Sequence, residues 1–149
     1  MKRLAITAAA ITAAVAVLWA VLNLTLLGGT DTHGASVEKS EVDSKTVPGS
    51  HPVSVVVPDG TDGKGRPLLI FLHGRSGNSE TYTDDGPFFK ALDDQGKRAP
   101  VVVFPDGGES SYWHDRDSGN WDAYLMKEVI PQVARRFGTD SSRIAVGGI

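Results

Sequence analysis

Pro67 is followed by five consecutive apolar residues, Leu68 to Leu72, and then by His73-Gly74-Arg75-Ser76-Gly77. A run this short, bounded by proline on one side and a glycine-containing loop on the other, predicts a strand buried on both faces of a parallel sheet. Such a strand needs parallel neighbours and covering helices, so it limits the rest of the chain to an α/β arrangement. The loop leaves the carboxyl end of the strand, where its two glycines let the backbone turn sharply. Peptide N–H groups can then face a crevice instead of a ladder, which is the geometry an oxyanion hole needs. A strand can also leave a sheet through His-Gly for no catalytic reason, and this stretch alone does not separate the two readings.

The flanking sequence supplies the neighbours. Val53, Val55 and Val57 alternate with Ser54 and Val56, which predicts a strand at an edge or with one wetter face. Pro58 to Gly65 reads as a turn, with glycine for positive φ and aspartate for local side-chain bonds. After the apolar run, Phe88, Phe89, Ala91 and Leu92 open a short amphipathic helix ending near Gly96, and Pro100-Val-Val-Val-Phe-Pro105 is a second fully apolar strand. Strand, helix, strand at this spacing implies a right-handed crossover and a parallel pair. The loop from Asp106 to Gly119 therefore leaves the same end of the sheet as the His73 loop, and the two share one crevice.

Asn120 then stands as the N-cap of a helix in which Trp121, Leu125, Val129, Val133 and Phe137 recur every four residues, stopped by Gly138. Pro131 lies inside this pattern and removes one hydrogen bond, so a kink or break is expected near Lys127 to Pro131. Arg143-Ile-Ala-Val-Gly-Gly-Ile149 reads as a third buried strand. Its Gly148-Ile149 ending looks like the start of a Gly-x-Ser-x-Gly nucleophile elbow, with the serine expected at the position after Ile149.

The amino-terminal part has a different character. No charge occurs between Arg3 and Asp31, and Lys2 and Arg3 precede a stretch from Leu4 to Leu27 that as a helix reaches roughly 36 Å, enough to span a bilayer core. The two positive charges predict an amino terminus held in the cytoplasm and an exported remainder. A cleaved signal peptide competes with an anchor here. Ala14-Val15-Ala16 fits a cleavage site, but the apolar run continues through Leu22, and Leu26-Leu27-Gly28-Gly29 lacks a lipoprotein cysteine, which favours the anchor. Residues 1–29 are thus read as signal anchor or signal peptide, 30–50 as a polar linker without period, and 51–149 as the globular part.

Composition closes several alternatives. With no cysteine there are no disulfides, no thiol nucleophile and no thiolate zinc site. The formal net charge is −3 and every acidic residue follows Thr30, which argues against a nucleic-acid partner. His114 with Asp115 and Asp117 matches no metal-ligand spacing, and no metal and no cofactor is expected.

Taken as a set, His73-Gly74-Arg75-Ser76-Gly77, Val103-Phe-Pro-Asp-Gly-Gly-Glu-Ser-Ser-Tyr-Trp113, Trp121-Asp-Ala-Tyr-Leu-Met-Lys-Glu-Val-Ile-Pro131 and Ile144-Ala-Val-Gly-Gly-Ile149 resemble the putative-esterase family of α/β-hydrolases. That family includes S-formylglutathione hydrolase, feruloyl-esterase-like enzymes and the mycolyltransferases. The resemblance implies the N-terminal part of an α/β-hydrolase fold, mainly parallel with crossover helices. It also implies ester hydrolysis or transfer by a serine nucleophile, a histidine base and an acidic residue, acting on a small-molecule, lipid or polysaccharide ester. In the family all three lie at or beyond the elbow, so the 149 residues are expected to stop just before the nucleophile and to be inactive alone.

By the same resemblance the backbone N–H of Arg75 is one oxyanion donor, supported by His73 and Gly74, and Gly148 and Ile149 begin the elbow. Asp106 to Trp113 would border the substrate, with Asp106, Ser110, Tyr112 and Trp113 singled out, and Trp121 would help wall it. His73 is read as bracing its loop by hydrogen bonds and not as the base. The mycolyltransferases carry Asp-Gly-Leu-Arg where this chain has His73-Gly74-Arg75-Ser76, which favours general ester hydrolysis over acyl transfer. An exported, non-catalytic protein that binds a ligand through the Asp106 to Asn120 loop is the reading from another class, and the residue after Ile149 separates it from the enzyme.

Overall fold

A computed structural model describes residues 29–149, and the candidate membrane segment Leu4 to Leu27 lies outside the described residues. From Asp31 to Ile149 the chain forms one compact unit. Its elements are β1 (Ser36–Asp43), β2 (Ser50–Val57), β3 (Leu68–Leu72), α1 (Gly86–Asp93), a 3-10 turn (Gly96–Arg98), β4 (Val101–Pro105), a hairpin of β5 (Asp115–Arg116) and β6 (Gly119–Asn120), a long helix in three parts, and β7 (Ile144–Gly148). The helix parts are α2 (Trp121–Ala123), a π-helical stretch (Tyr124–Val129) and α3 (Ile130–Phe137). Among the described residues no helix is long and apolar enough to cross a membrane.

The five-stranded sheet runs β1-β2-β4-β3-β7. β3 pairs in parallel with β4 on one side and β7 on the other, as the apolar run requires. β1 and β2, however, are antiparallel additions, β2 to β4 and β1 to β2. The sheet is therefore mixed and only its β4-β3-β7 half is parallel.

Two expectations fail in that added half. Residues 36–43, read as linker, are a strand in register with β2, from Ser36 opposite Val57 to Asp43 opposite Ser50. β2 in turn is neither an edge nor wet on one face, because β1 and β4 flank it and Ser54 is as buried as the valines around it.

Helices cover both faces, which is why the strands carry unbroken apolar runs. Successive side chains on a strand point to opposite faces. Leu68, Ile70, Val101 and Val103 accordingly pack with Val53, Val55, Tyr124, Val129, Val133 and Phe137 under the long helix. Val102, Phe104 and Val56 pack with Phe89 and Leu92 of α1, with Leu69 and Phe71 beside them.

Each helix is positioned by local chemistry. Asp85 caps α1 by accepting from the Phe88 N–H, with Pro87 in the first turn. Asn120 caps α2 by accepting from the Ala123 N–H at 2.7 Å. The perturbation expected around Pro131 is a widening instead of a break. Proline offers no N–H to the carbonyl four residues back and its ring collides with it. The turn just before it is π-helical, with the Ile130 N–H reaching the Leu125 carbonyl five residues back. Gly138 ends α3 at φ 61°, a left-handed cap that glycine adopts without strain.

β7 departs from expectation in burial. It is the outermost strand beside β3 in the described sheet, and Val146 is 53% exposed.

Candidate active site

Three chain segments leave the carboxyl ends of the parallel strands: the loop after β3, the loop after β4, and the end of β7. In an open α/β sheet this end is where ligands bind. A cavity of ≈ 230 Å³ opens there, lined by His73, Gly74, Arg75, Gly108, Glu109, Ser110, Ser111, Tyr112, Trp113 and Ile149. Both loops therefore do border one crevice, joined by the last residue of β7's segment. A second cavity of ≈ 320 Å³ lies at the opposite end of the sheet, beside Arg66 and Ala99. Its arginine is already spent on the Gly96 and Ala99 carbonyls, and it meets none of the three segments.

His73 ties the two loops together. Its ring is buried, Nε2 accepts the Gly107 N–H at 3.0 Å, and Nδ1 lies 2.8 Å from the Gly74 carbonyl oxygen. Because the Gly107 N–H donates, Nε2 must be the unprotonated nitrogen, so Nδ1 carries the proton and donates to Gly74. Both nitrogens are thus occupied by backbone groups. Neither is left to take a proton from Ser110 or Ser111, and the ring acts as a brace.

The β4 loop is built around Ser111, which is buried. Its hydroxyl accepts from the Trp113 N–H at 3.1 Å, and its carbonyl accepts from the His114 N–H and from Arg116 Nε. Between these bonds Tyr112 and Trp113 take φ of 52° and 58°, two consecutive non-glycine residues in the left-handed region. The pair sends Tyr112 outward, half exposed, with the Arg116 guanidinium 5.7 Å over its ring. Trp113 turns inward. Its indole Nε1–H donates to the His73 carbonyl at 3.2 Å, and its ring lies edge-on to the imidazole. Gly107 makes room for it, since a Cβ there would stand 2.6 Å from the indole.

The Ser76 N–H donates to the Glu109 carbonyl and the Gly77 N–H to the Gly74 carbonyl. Between them the Arg75 N–H has no hydrogen-bond partner among the described residues. The end of β7 comes up against the same loop. The Ile149 N–H donates to the Leu72 carbonyl, and the Ile149 carbonyl lies 3.0 Å from where a Cβ on Gly74 would be. Gly148 permits this approach, because a Cβ on it would lie 2.7 Å from the Leu72 carbonyl oxygen.

Of the residues singled out from sequence, His73, Gly74, Arg75, Ser110, Tyr112, Trp113 and Ile149 meet at the cavity, with Gly148 directly behind. Asp106 and Trp121 do not line it. Asp106 opens the loop, its carboxylate accepting from the Gly108 N–H and its own N–H donating to the Pro52 carbonyl. Trp121 is buried in the core beneath Gly108, with Nε1–H donating to Ser118. Glu109 and Ser111 fall inside the Asp106 to Trp113 stretch expected to border the pocket but were not singled out, although the hydroxyl-to-backbone habit of serine in turns was a signal for Ser111. Asp115 sits in the small exposed hairpin with Asn120, and no cluster able to hold a metal ion occurs among the described residues.

The chain matches the model of the family described as Putative esterase over residues 44–149. No curated protein matches it. Among solved structures it is similar to an S-formylglutathione hydrolase from Agrobacterium tumefaciens, with TM-score 0.65 and 16% identity over 77% of this chain and 49% of that one. A ferulic acid esterase from the anaerobic fungus Anaeromyces mucronatus gives 0.61 and 17% over 77% and 49%. A bacterial heroin esterase gives 0.59 and 22% over 89% and 40%. At these identities the likeness is one of fold, and the chain spans about half the length of the structures it matches.

Proposed function

The chain belongs to the Putative esterase family of α/β-hydrolases, and from that premise we propose that it supplies the oxyanion side of an exported serine esterase acting on small carboxylic or thioester substrates. The observation that carries this reading is the Arg75 N–H. It is unpaired among the described residues, lies on a loop held from both sides, and borders the cavity that Ile149 also lines. A donor fixed before the reaction begins is worth about 2.7–4 kcal/mol of transition-state stabilisation in enzymes that acylate a serine.

The nucleophile in this reading is a serine on the residue following Ile149, where β7 ends against the oxyanion loop and glycine permits the close approach an elbow needs. His73 is excluded as base by its two backbone bonds, so base and acid come from elsewhere in the protein. A cavity of ≈ 230 Å³ suits a compact acyl or alcohol group. Export, and attachment to a membrane, rest on the charge-free segment that follows Lys2 and Arg3.

The test is to read the coding sequence past codon 149 and to assay p-nitrophenyl acetate with both the 149-residue chain and the longer product. Serine next, glycine two positions later, and turnover by the longer form alone are expected. Turnover by the 149-residue chain that survives Arg75→Pro, or a next residue other than serine, cysteine or aspartate, would refute the reading.

A further inference from the structure

We infer that Trp113, a residue of the β4 loop, is a positioning residue for the Arg75 N–H, an inference that rests on reading that N–H as an oxyanion donor. Arg75 is exposed and its N–H has no hydrogen-bond partner among the described residues, while the carbonyl of the same peptide, that of Gly74, accepts from the Gly77 N–H and from His73 Nδ1, so the direction of the N–H depends on how His73 and the following turn are held. On the amino side the flanking group is His73. Its carbonyl accepts the Trp113 indole N–H at 3.2 Å, and its ring accepts the Gly107 N–H. On the carboxyl side it is Ser76, left-handed at φ 62°, whose N–H donates to the Glu109 carbonyl at 3.2 Å. The loop's own bonds to the Gly74 carbonyl fix the peptide plane locally, and these three anchors from residues 107–113 fix the loop that carries it. The β4 loop thus holds the frame in which the donor points.

Within that set Trp113 is the one side chain that reaches across, and its place is over-determined. Its backbone is held left-handed by the Ser111 hydroxyl, and its ring occupies space that only a glycine at 107 leaves open. A non-glycine residue is strained in such a conformation, which persists where the surroundings enforce it. Here the enforced conformation delivers the indole N–H to the His73 peptide. Replacing the indole with a ring that lacks a donor keeps the packing and frees that peptide, so the donor loses its aim while the cavity keeps its shape.

The experiment uses the full chain, with amide hydrogen exchange as the readout because it needs no activity. Trp113→Phe is expected to lower the protection of the Ser76 and Gly77 amides roughly three- to tenfold, the loss of one ordinary hydrogen bond, with the β4 amides of Val102 and Val103 unchanged. Ser111→Ala, which releases the Trp113 backbone without altering the indole, should do the same and serves if the first variant does not fold. Unchanged protection at Ser76 and Gly77, or a loss spread equally over β4, overturns the inference. In a catalytically active longer form, Trp113→Phe should lower kcat about tenfold or more and leave KM within about twofold. Loosened amides with kcat unchanged overturn the link to Arg75. Loosened amides in a protein that cleaves no ester support the positioning role and count against the esterase reading instead.

Discussion

Tyr124→Phe should stabilise the protein. The Tyr124 side chain is fully buried, edge-on to Trp121 and His51, and its hydroxyl has no hydrogen-bond partner among the described residues. Burial, followed by the negative charges of Asp106 and Glu128, pushes its pKa well above the usual tyrosine range, so the group is a neutral, unpaired hydroxyl at any ordinary pH. Leaving such a hydroxyl unsatisfied costs about 1–3 kcal/mol. Phenylalanine keeps the ring and its edge contacts and removes the oxygen. A void of roughly 10–15 Å³, at about 24 cal/mol per Å³, costs about 0.3 kcal/mol. The net expectation is a gain of about 1–2 kcal/mol. With a urea slope of about 1–3 kcal/mol per molar, the denaturation midpoint should rise by roughly 0.3–2 M with no change in slope. A midpoint that falls by a similar amount would show that the hydroxyl is satisfied in solution, and the reasoning would fail.

Two further expectations concern β7 and its approach. Gly148→Ala should cost about 1–3 kcal/mol, since its Cβ meets the Leu72 backbone at 2.7 Å and backbone cannot yield as a side chain can; Gly147→Ala, whose nearest neighbour is the Phe71 ring at 3.9 Å, should stay within about 0.5 kcal/mol in the same urea titration. Asp140 is held down to about 2 from the ordinary 3.8 by hydrogen bonds from Ser142 and then Arg143. A depressed carboxylate stabilises the fold above its unfolded pKa and loses that contribution as pH falls through the folded one. The difference in melting temperature between wild type and Asp140→Asn should therefore be constant above about pH 5 and shrink between about pH 4 and pH 2.

What was legible in the sequence was what is local. β3 and β4 announce themselves because each is a short apolar run between prolines or glycines, and Asn120 and Gly138 mark their helix through groups within three or four residues. β1 was not legible for a physical reason. Its two valines, Val37 and Val42, sit an odd number of positions apart and therefore on opposite faces, one packing with each layer, so neither a period of two nor a run appears. Its strand character comes from pairing with β2, which no window of the sequence contains.

The site divides in the same way. The turn chemistry of His73 to Gly77 and the glycines of Gly107-Gly108 were readable, and so was the meeting of the two loops, because it follows from strand direction. The place of Trp121 was misread although a signal existed. It opens the four-residue apolar stripe that continues through Leu125, Val129, Val133 and Phe137, and a stripe of that kind faces the core. Glu109 contributes a carbonyl and Ser111 a local bond, contributions that side-chain identity barely encodes.

The order of the strands also sets a timetable for synthesis. The β1–β2 hairpin closes over a few residues and can assemble as soon as it emerges. β3, by contrast, pairs its Leu68 with Ile144, about 75 residues further along, which at 5–20 residues per second is roughly 4–15 s of translation. β4 arrives in between and takes one flank of β3 while the other stays open. Among the described strands, the apolar one that centres the parallel half thus waits longest for its second partner on a growing chain. For those seconds it is the surface a chaperone, or another nascent chain, would meet first.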